Sequence, residues 1–202
     1  MPDDQPREQM HKPGPVGDVP VGDVPADDVP AGDMPADEVA AAVVERFPGT
    51  VAVDTHGQPV VHVERGAWHD VARVLRDEQQ FTMCLDVTAV DHLLDAERAV
   101  PPGVAPERFE VVANFLSHPR NHRLRVIAQV PADHPEVGSI TDLYPGANFG
   151  EREVYDLFGI SFPGHPDLTR ILMPDDWVGY PLRKDDAPAR VPVTFKEDPG
   201  PR

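Results

Sequence analysis

The residues best placed to do chemistry lie between 140 and 186, where acids, bases and rings alternate closely. The run Glu151-Arg152-Glu153-Val154-Tyr155-Asp156-Leu157-Phe158-Gly159 is followed by His165-Pro166-Asp167-Leu168, by Arg170-Ile171-Leu172, and by Tyr180-Pro181-Leu182-Arg183-Lys184-Asp185. Three readings stay open on residue types alone. Glu151, Glu153, Asp156 and His165 could form an oxygen-rich metal or acid–base site. Arg152, Arg170 and Arg183 could be desolvated anchors among aromatic rings on a partner-facing surface. Or Glu151–Tyr155 and Arg152–Asp156 could simply pair at i,i+4 on a solvated helix, contributing a few tenths of a kcal/mol.

Other chemistry has no residues to carry it. No Gly-rich dinucleotide or phosphate loop follows a strand, and no H-E-x-x-H or G-x-S-x-G occurs. The single cysteine, Cys84, excludes an intrachain disulfide and a four-cysteine iron–sulfur site. Within Met83-Cys84-Leu85 it reads as a small apolar strand residue. His118 and His122 are four apart, but Pro119 and flanking strand patterns put them in a turn rather than on one helix face.

The elements that must position the dense segment are legible from periodicity. Val39, Ala42, Val43 and Phe47 recur at helical spacing and stop at Pro48-Gly49. Thr50–Asp54 and Val60–Glu64 alternate around His56-Gly57-Gln58-Pro59, predicting a hairpin. Trp68, Val71, Ala72 and Leu75 mark a helix over about 66–78, and 81–92 is rich in strand formers. Phe109–Leu116 and Arg123–Val130 alternate strictly across a short connection, predicting antiparallel neighbours. Asn148 is a candidate N-cap, with Glu151 completing a capping box and Gly159 ending the helix. The order α-β-β-α-β-β-β-α predicts a two-layer α+β fold, with helices packed on a mostly antiparallel sheet.

Charge and proline divide the rest. The chain has 202 residues, a net charge of −17 and 25 prolines. Residues 1–38 carry ten acids, two bases and eight of those prolines, hence −8 of the −17. A five-residue Gly/Asp-Asp-Val/Met-Pro repeat fills 17–35. Proline at every fifth position breaks helices and aspartate repulsion opposes collapse, so 1–37 reads as a disordered acidic tail. The α+β domain is expected over 38–176. Residues 177–202 read as an extended arm that either wraps a partner or lies as a strap over its own domain, using Trp177, Tyr180, Leu182 and Phe195 as anchors. The acidic balance disfavours nucleic acid and anionic lipid as partners. No apolar run approaches the roughly 18–20 residues that span a bilayer.

The ordered series Glu151-Arg152-Glu153-x-x-Asp156-Leu157-Phe158-Gly159-Ile160, His165-Pro166-Asp167-Leu168, Arg170-Ile171-Leu172 and Gly179-Tyr180-Pro181-Leu182-Arg183-Lys184-Asp185 resembles the signature of the C-type subunit of respiratory complex I, the NuoC family of NADH-quinone oxidoreductase. Ser139-Ile140-Thr141-Asp142-Leu143-Tyr144-Pro145-Gly146-Ala147-Asn148 and the strands at 109–117 and 121–130 extend the likeness over about 38–195. Thr169 stands where that family often has a basic residue, and Asp186 where an aromatic commonly follows Arg-Lys-Asp. The acidic repeat is not part of the family pattern.

The resemblance implies a structural, non-catalytic subunit of the hydrophilic arm of a proton-pumping NADH:quinone oxidoreductase. It implies packing beside the D-type subunit and near the B-type and I-type subunits of that complex. It places the chain as a peripheral component on the cytoplasmic side of a bacterial cell membrane, reaching the membrane only through the complex. FMN, iron–sulfur clusters, NADH and quinone would belong to other subunits, with no cofactor, metal or catalytic residue on this one. Glu151, Arg152, Glu153, Asp156, His165, Arg170, Tyr180, Leu182, Arg183, Lys184 and Asp185 would then form the subunit interface. Related C-type subunits serve membrane hydrogenases and deazaflavin-dependent quinone oxidoreductases, so those complexes are the alternative setting. A free-standing metal-dependent enzyme using Glu151, Glu153, Asp156 and His165 is the remaining one.

Overall fold

The structure is a computed structural model and describes residues 37–95 and 97–186. The acidic repeat and residues 187–202 lie outside the described residues.

Helix α1 (Glu38–Arg46) starts where the Asp37 side chain accepts the Ala40 N–H at 2.8 Å. Glu38 in its first turn and Arg46 in its last complement the helix dipole. Strands β1 (Val51–Thr55) and β2 (Gln58–Val63) form a hairpin. His56 and Gly57 at its tip have φ of 54° and 78°, the left-handed pair that suits the twist of a two-residue hairpin loop. A short 3-10 turn (Arg65–Ala67) leads into α2 (Trp68–Asp77), which buries Trp68, Val71, Ala72, Val74 and Leu75 on one face.

Three nine-residue strands follow: β3 (Met83–Asp91), β4 (Phe109–Ser117) and β5 (His122–Val130). The five strands lie in the order β1-β2-β5-β4-β3. All pairs are antiparallel except β2–β5. Phe109, Val111, Ala113 and Phe115 of β4 sit opposite Val130, Ala128, Val126 and Leu124 of β5, and all eight are at most 1% exposed. This face, α1, α2 and the last helix, α3 (Ala147–Phe158), contribute to one apolar cluster. Each large side chain so buried contributes roughly 2 kcal/mol or more. The opposite face carries Glu110, Asn114, Arg125 and Gln129 and is partly covered by the β3–β4 connection. This is the expected two-layer α+β architecture.

One expected detail differs. Helix α3 begins at Ala147, with Gly146 at the N-cap and no side-chain cap, so Asn148 is already helical. The turns at Ile140–Tyr144 and Tyr144–Ala147 wind straight into the helix, because Tyr144 N–H donates to Ile140 O and Ala147 N–H to Tyr144 O. Tyr144 itself is pinned, its hydroxyl donating to Phe81 O at 2.8 Å and Ala72 O at 3.2 Å. Backbone carbonyls thus take the role expected of the Asn148 side chain. At the other end Gly159 adopts φ 68° and stops the helix as expected.

Candidate subunit interface

The fully buried side chain of Asp156 organises the segment after α3. Its Oδ2 accepts the N–H groups of Ile171, Leu172 and Met173 at 3.0, 2.7 and 2.8 Å, and its Oδ1 accepts from Arg170 at 2.6 Å. Burial alone would push this carboxyl up; the N–H groups of Met173 and Leu172, then Arg170 and Ile171, outweigh it and hold the group below the ordinary carboxylate range. Arg152 does not pair with Asp156. It donates instead to Thr169 O at 3.0 Å, Thr169 Oγ1 at 2.9 Å and Arg170 O at 3.0 Å. The i,i+4 pair expected from spacing is therefore replaced by two longer-range ties to the same loop. Thr169 supplies an acceptor that a basic residue could not.

A second buried carboxylate fastens the next stretch. Asp91 ends β3 on the core face, with its side chain fully buried. It accepts from Arg108 at 3.0 and 2.8 Å and from Lys184 N–H at 2.9 Å. Arg108 also grips Asp185 at 2.9 and 2.5 Å. Arg183 donates through Nε to Phe158 O at 2.5 Å, and its guanidinium lies 4.7 Å from the Tyr180 ring centroid and 5.3 Å from that of Phe109. Leu182 N–H donates to Leu157 O at 3.0 Å, Arg170 to Gly179 O at 3.1 Å, and Tyr180 N–H to Asp186. Residues 177–186 thus form a strap tied to their own domain, while the rest of the expected arm, Phe195 included, lies outside the described residues. Asp186 closes its final turn.

This placement changes the role of the charged residues. Arg152, Arg170, Arg183 and Asp156 spend their hydrogen bonds within the chain, and the loop at 170–173 and the strap turn apolar side chains outward. Leu172 is 55% exposed, Val178 92% and Leu182 47%. Lys184 and Asp185 are exposed, and Glu153 lies on the open side of α3.

The four groups of the possible metal site point to separate places. Glu151, fully buried, accepts Ile140 N–H at 2.8 Å, and its other oxygen has no partner among the described residues. Burial pushes its pKa to about 7, opposed by the Ile140 N–H hydrogen bond. Asp156 faces the loop at 170–173. His165 accepts Asp167 N–H at 3.0 Å and lies 3.2 Å from Asn148 O. Glu153 is solvent-facing. Among the described residues no cluster of three His, Cys, Asp or Glu could hold a metal ion. Glu151 and Asp156, expected in the interface, are fully buried within the chain itself, where each accepts backbone N–H groups of its own domain.

Asp91 and Arg108 were missed by sequence reasoning, yet a signal existed. Val87, Ala89 and Asp91 share the core-facing period of β3. A carboxylate on that face requires a cation. His118 lies in the turn and meets Met83 at 3.1 Å, whereas His122, expected in that turn, opens β5 and meets Asp37 at 2.5 Å. Burial pushes the Cys84 thiol up to about 12, in keeping with an inert strand residue.

A family model described as "Respiratory-chain NADH dehydrogenase, 30 Kd subunit" matches residues 61–191, which run from the last residues of β2 through β3, β4, β5 and α3 to the strap. The NADH-quinone oxidoreductase C subunit of Geobacter sulfurreducens is 46% identical over 129 residues, 64% of this chain and 74% of that protein. The protein of the same name from Salinispora tropica is 39% identical over 166 residues, 78% of this chain but 64% of that protein, so the match spans under two thirds of it. Among solved structures, a trypsin-resistant fragment of Nqo5 is 33% identical with a TM-score of 0.55, covering 64% of this chain and 96% of the fragment. A chain of an archaeal membrane-bound sulfane sulfur reductase has a TM-score of 0.56 at 22% identity, covering 82% and 97%, and shares the fold alone. Among the described residues no helix is long and apolar enough to cross a membrane. With the ordered series from Glu151 to Asp185 lying inside the matched region, the chain belongs to the 30 Kd subunit family of respiratory-chain NADH dehydrogenase, the NuoC family of NADH-quinone oxidoreductase.

Proposed function

We propose that the chain acts as a structural, non-catalytic subunit in the hydrophilic arm of a proton-pumping NADH:quinone oxidoreductase. In this reading electrons pass from NADH through FMN and iron–sulfur clusters to quinone on other subunits. This chain holds neighbours in place at the cytoplasmic side of the bacterial cell membrane, as a peripheral component. The D-type subunit is its main neighbour, with the B-type and I-type subunits nearby.

The observation that carries the reading is the strap. Four arginines (Arg108, Arg152, Arg170 and Arg183) and two carboxylates (Asp91 and Asp156) hold an irregular segment rigidly on the domain while Leu172, Val178 and Leu182 face outward. Such a preorganised apolar ridge loses little conformational entropy on docking. The ridge, flanked by Glu153, Lys184 and Asp185, is the contact surface in this proposal. The charged side chains facing inward set its shape rather than touching the neighbour.

The test is to purify the full chain, tagged, from its own cells and identify what accompanies it. Recovery with the D-type, B-type and I-type subunits and an NADH-oxidising, FMN-containing module is expected. Recovery with a hydrogenase or a deazaflavin-oxidising module would keep the subunit role and overturn the assigned complex. Recovery of the chain alone, turning over a substrate, would overturn the role itself.

A further inference from the structure

On the sheet face away from the apolar core, a cleft of about 630 Å³ opens between the β1–β2 hairpin and the β3–β4 connection. Its titratable lining is Asp54, His62, His92, Asp95, Arg98 and Glu110, with Thr55 beside them and Val100, Pro101 and Pro102 as an apolar lip. The volume lies in the range of small-molecule sites. No part of the cleft belongs to α3 or the strap.

The charge of Arg98 is already engaged. Its guanidinium donates to Glu107 O at 2.9 Å and Gln129 Oε1 at 3.0 Å and lies 3.4 Å from Glu110 Oε1. Glu110 also accepts from Gln129 at 2.8 Å and lies 3.2 Å from His92 Nε2. Burial pushes the Glu110 carboxyl up, but the Gln129 hydrogen bond, the nearby His92 ring and the charge of Arg98 bring it below the ordinary range, so it stays ionised. Asp54 and Asp95 sit exposed at the rim. Three carboxylates, Asp54, Asp95 and Glu110, stand against one guanidinium, Arg98, so acids exceed the permanently charged base by two.

His62 supplies the second observation. It is 9% exposed, lines the cleft, and its Nδ1 has no hydrogen-bond partner among the described residues. Burial, partly opposed by Glu110, holds its pKa below the ordinary range, which favours the neutral ring, with one nitrogen donating and the other accepting. An unpaired imidazole nitrogen beside a cleft with an excess of carboxylates and an apolar lip fits a ligand that carries positive charge.

We propose that this cleft binds an organic cation, an alkylammonium or guanidinium group on an apolar stem. The ammonium would lie between the rim carboxylates and His62, with the stem along Val100, Pro101 and Pro102. A free polyamine and a basic side chain of a partner share this chemistry.

Histidine ring C–H signals of the full chain, assigned with a His62→Gln variant, would be followed while spermidine or N-acetyl-lysine methylamide is added at constant ionic strength. Saturable shifts at His62 and His92 are expected, weakened roughly tenfold or more in Asp54→Asn/Asp95→Asn, the scale set by removing two partly screened charges. Asparagine at position 54 keeps the side-chain oxygen that accepts Gly57 N–H at 2.7 Å, so the hairpin turn is retained. Binding of spermidine alone points to a free polyamine; binding of the capped lysine, alone or as well, points to a partner's side chain. Saturation by neither compound, equal binding by the double variant, or equal shifts with malonate would overturn the proposal.

Discussion

Glu151 and Asp156 lie five residues apart on α3, both fully buried, and burial acts on them with opposite outcomes. Asp156 has three backbone donors and a guanidinium, so its charged form is favoured in the fold. Glu151 has one donor, and its second oxygen has no partner among the described residues, so its neutral form is favoured. Linkage fixes the signs. The contribution of Asp156 is present above the ordinary carboxylate pKa and lost as pH falls through its lowered value. Glu151, raised from 4.5 to about 7, holds its proton in the fold. Its contribution is complete below about pH 4.5 and declines as pH rises toward about 7, by about 3 kcal/mol at 1.36 kcal/mol per pKa unit. Denaturant unfolding of the full chain across pH 3–9 should therefore give a dome, falling on the acid side with Asp156 and between about pH 5 and 7 with Glu151. In Glu151→Gln, which carries no ionisable proton, the neutral-side fall should largely disappear. A neutral-side slope as steep as in the unsubstituted chain would contradict this account of the buried carboxyl.

The junction of α3 with the strap depends on one glycine. Gly159 has φ 68°, and a Cβ there would stand 2.6 Å from the Tyr180 ring and 2.8 Å from the Arg183 guanidinium. Gly159→Ala adds a left-handed penalty of roughly 1–2 kcal/mol and displaces the ring on which both Arg170 and Arg183 lie. It should release the strap while the sheet remains folded. Trypsin cleavage after Arg183 or Lys184, read by fragment mass, should accelerate several-fold. An unchanged cleavage rate would show that the strap is held some other way. At this scale much was legible beforehand. The strands and helices announced themselves by period, because alternation and 3.6-residue spacing are properties of one segment and the solvent it faces. The parallel β2–β5 pairing, the Asp91–Arg108 clamp and the destination of Arg152 were not legible, since each joins residues 17 to 65 positions apart whose meeting the backbone path decides. Spacing alone made Asp156 the natural partner of Arg152; the three unpaired N–H groups at 171–173 competed for that carboxylate and won.

For the whole molecule, the ordered charges and rings between 140 and 186 identified the family, but their mechanical role emerged only from the fold. Read as sequence, they were anchors for a neighbour. In the structure the arginines tie the strap inward, and the apolar residues between them are left at the surface. Val178 and Leu172 are exposed, so charged replacements there should leave the isolated chain folded, surface changes of this kind usually lying within about 0.5 kcal/mol. A neighbour packed on the ridge would instead have to bury the new carboxylates unpaired, costing several kcal/mol. The most direct measurement is the yield of intact complex recovered through a tag on the full chain carrying Leu172→Asp and Val178→Asp, compared with the unsubstituted chain, after thermal unfolding has confirmed equal stability. The account predicts a loss of at least about tenfold in co-recovered subunits, the equivalent of 1.4 kcal/mol. Recovery of the whole complex at the unsubstituted level would contradict the claim that this ridge is what the chain offers its neighbours.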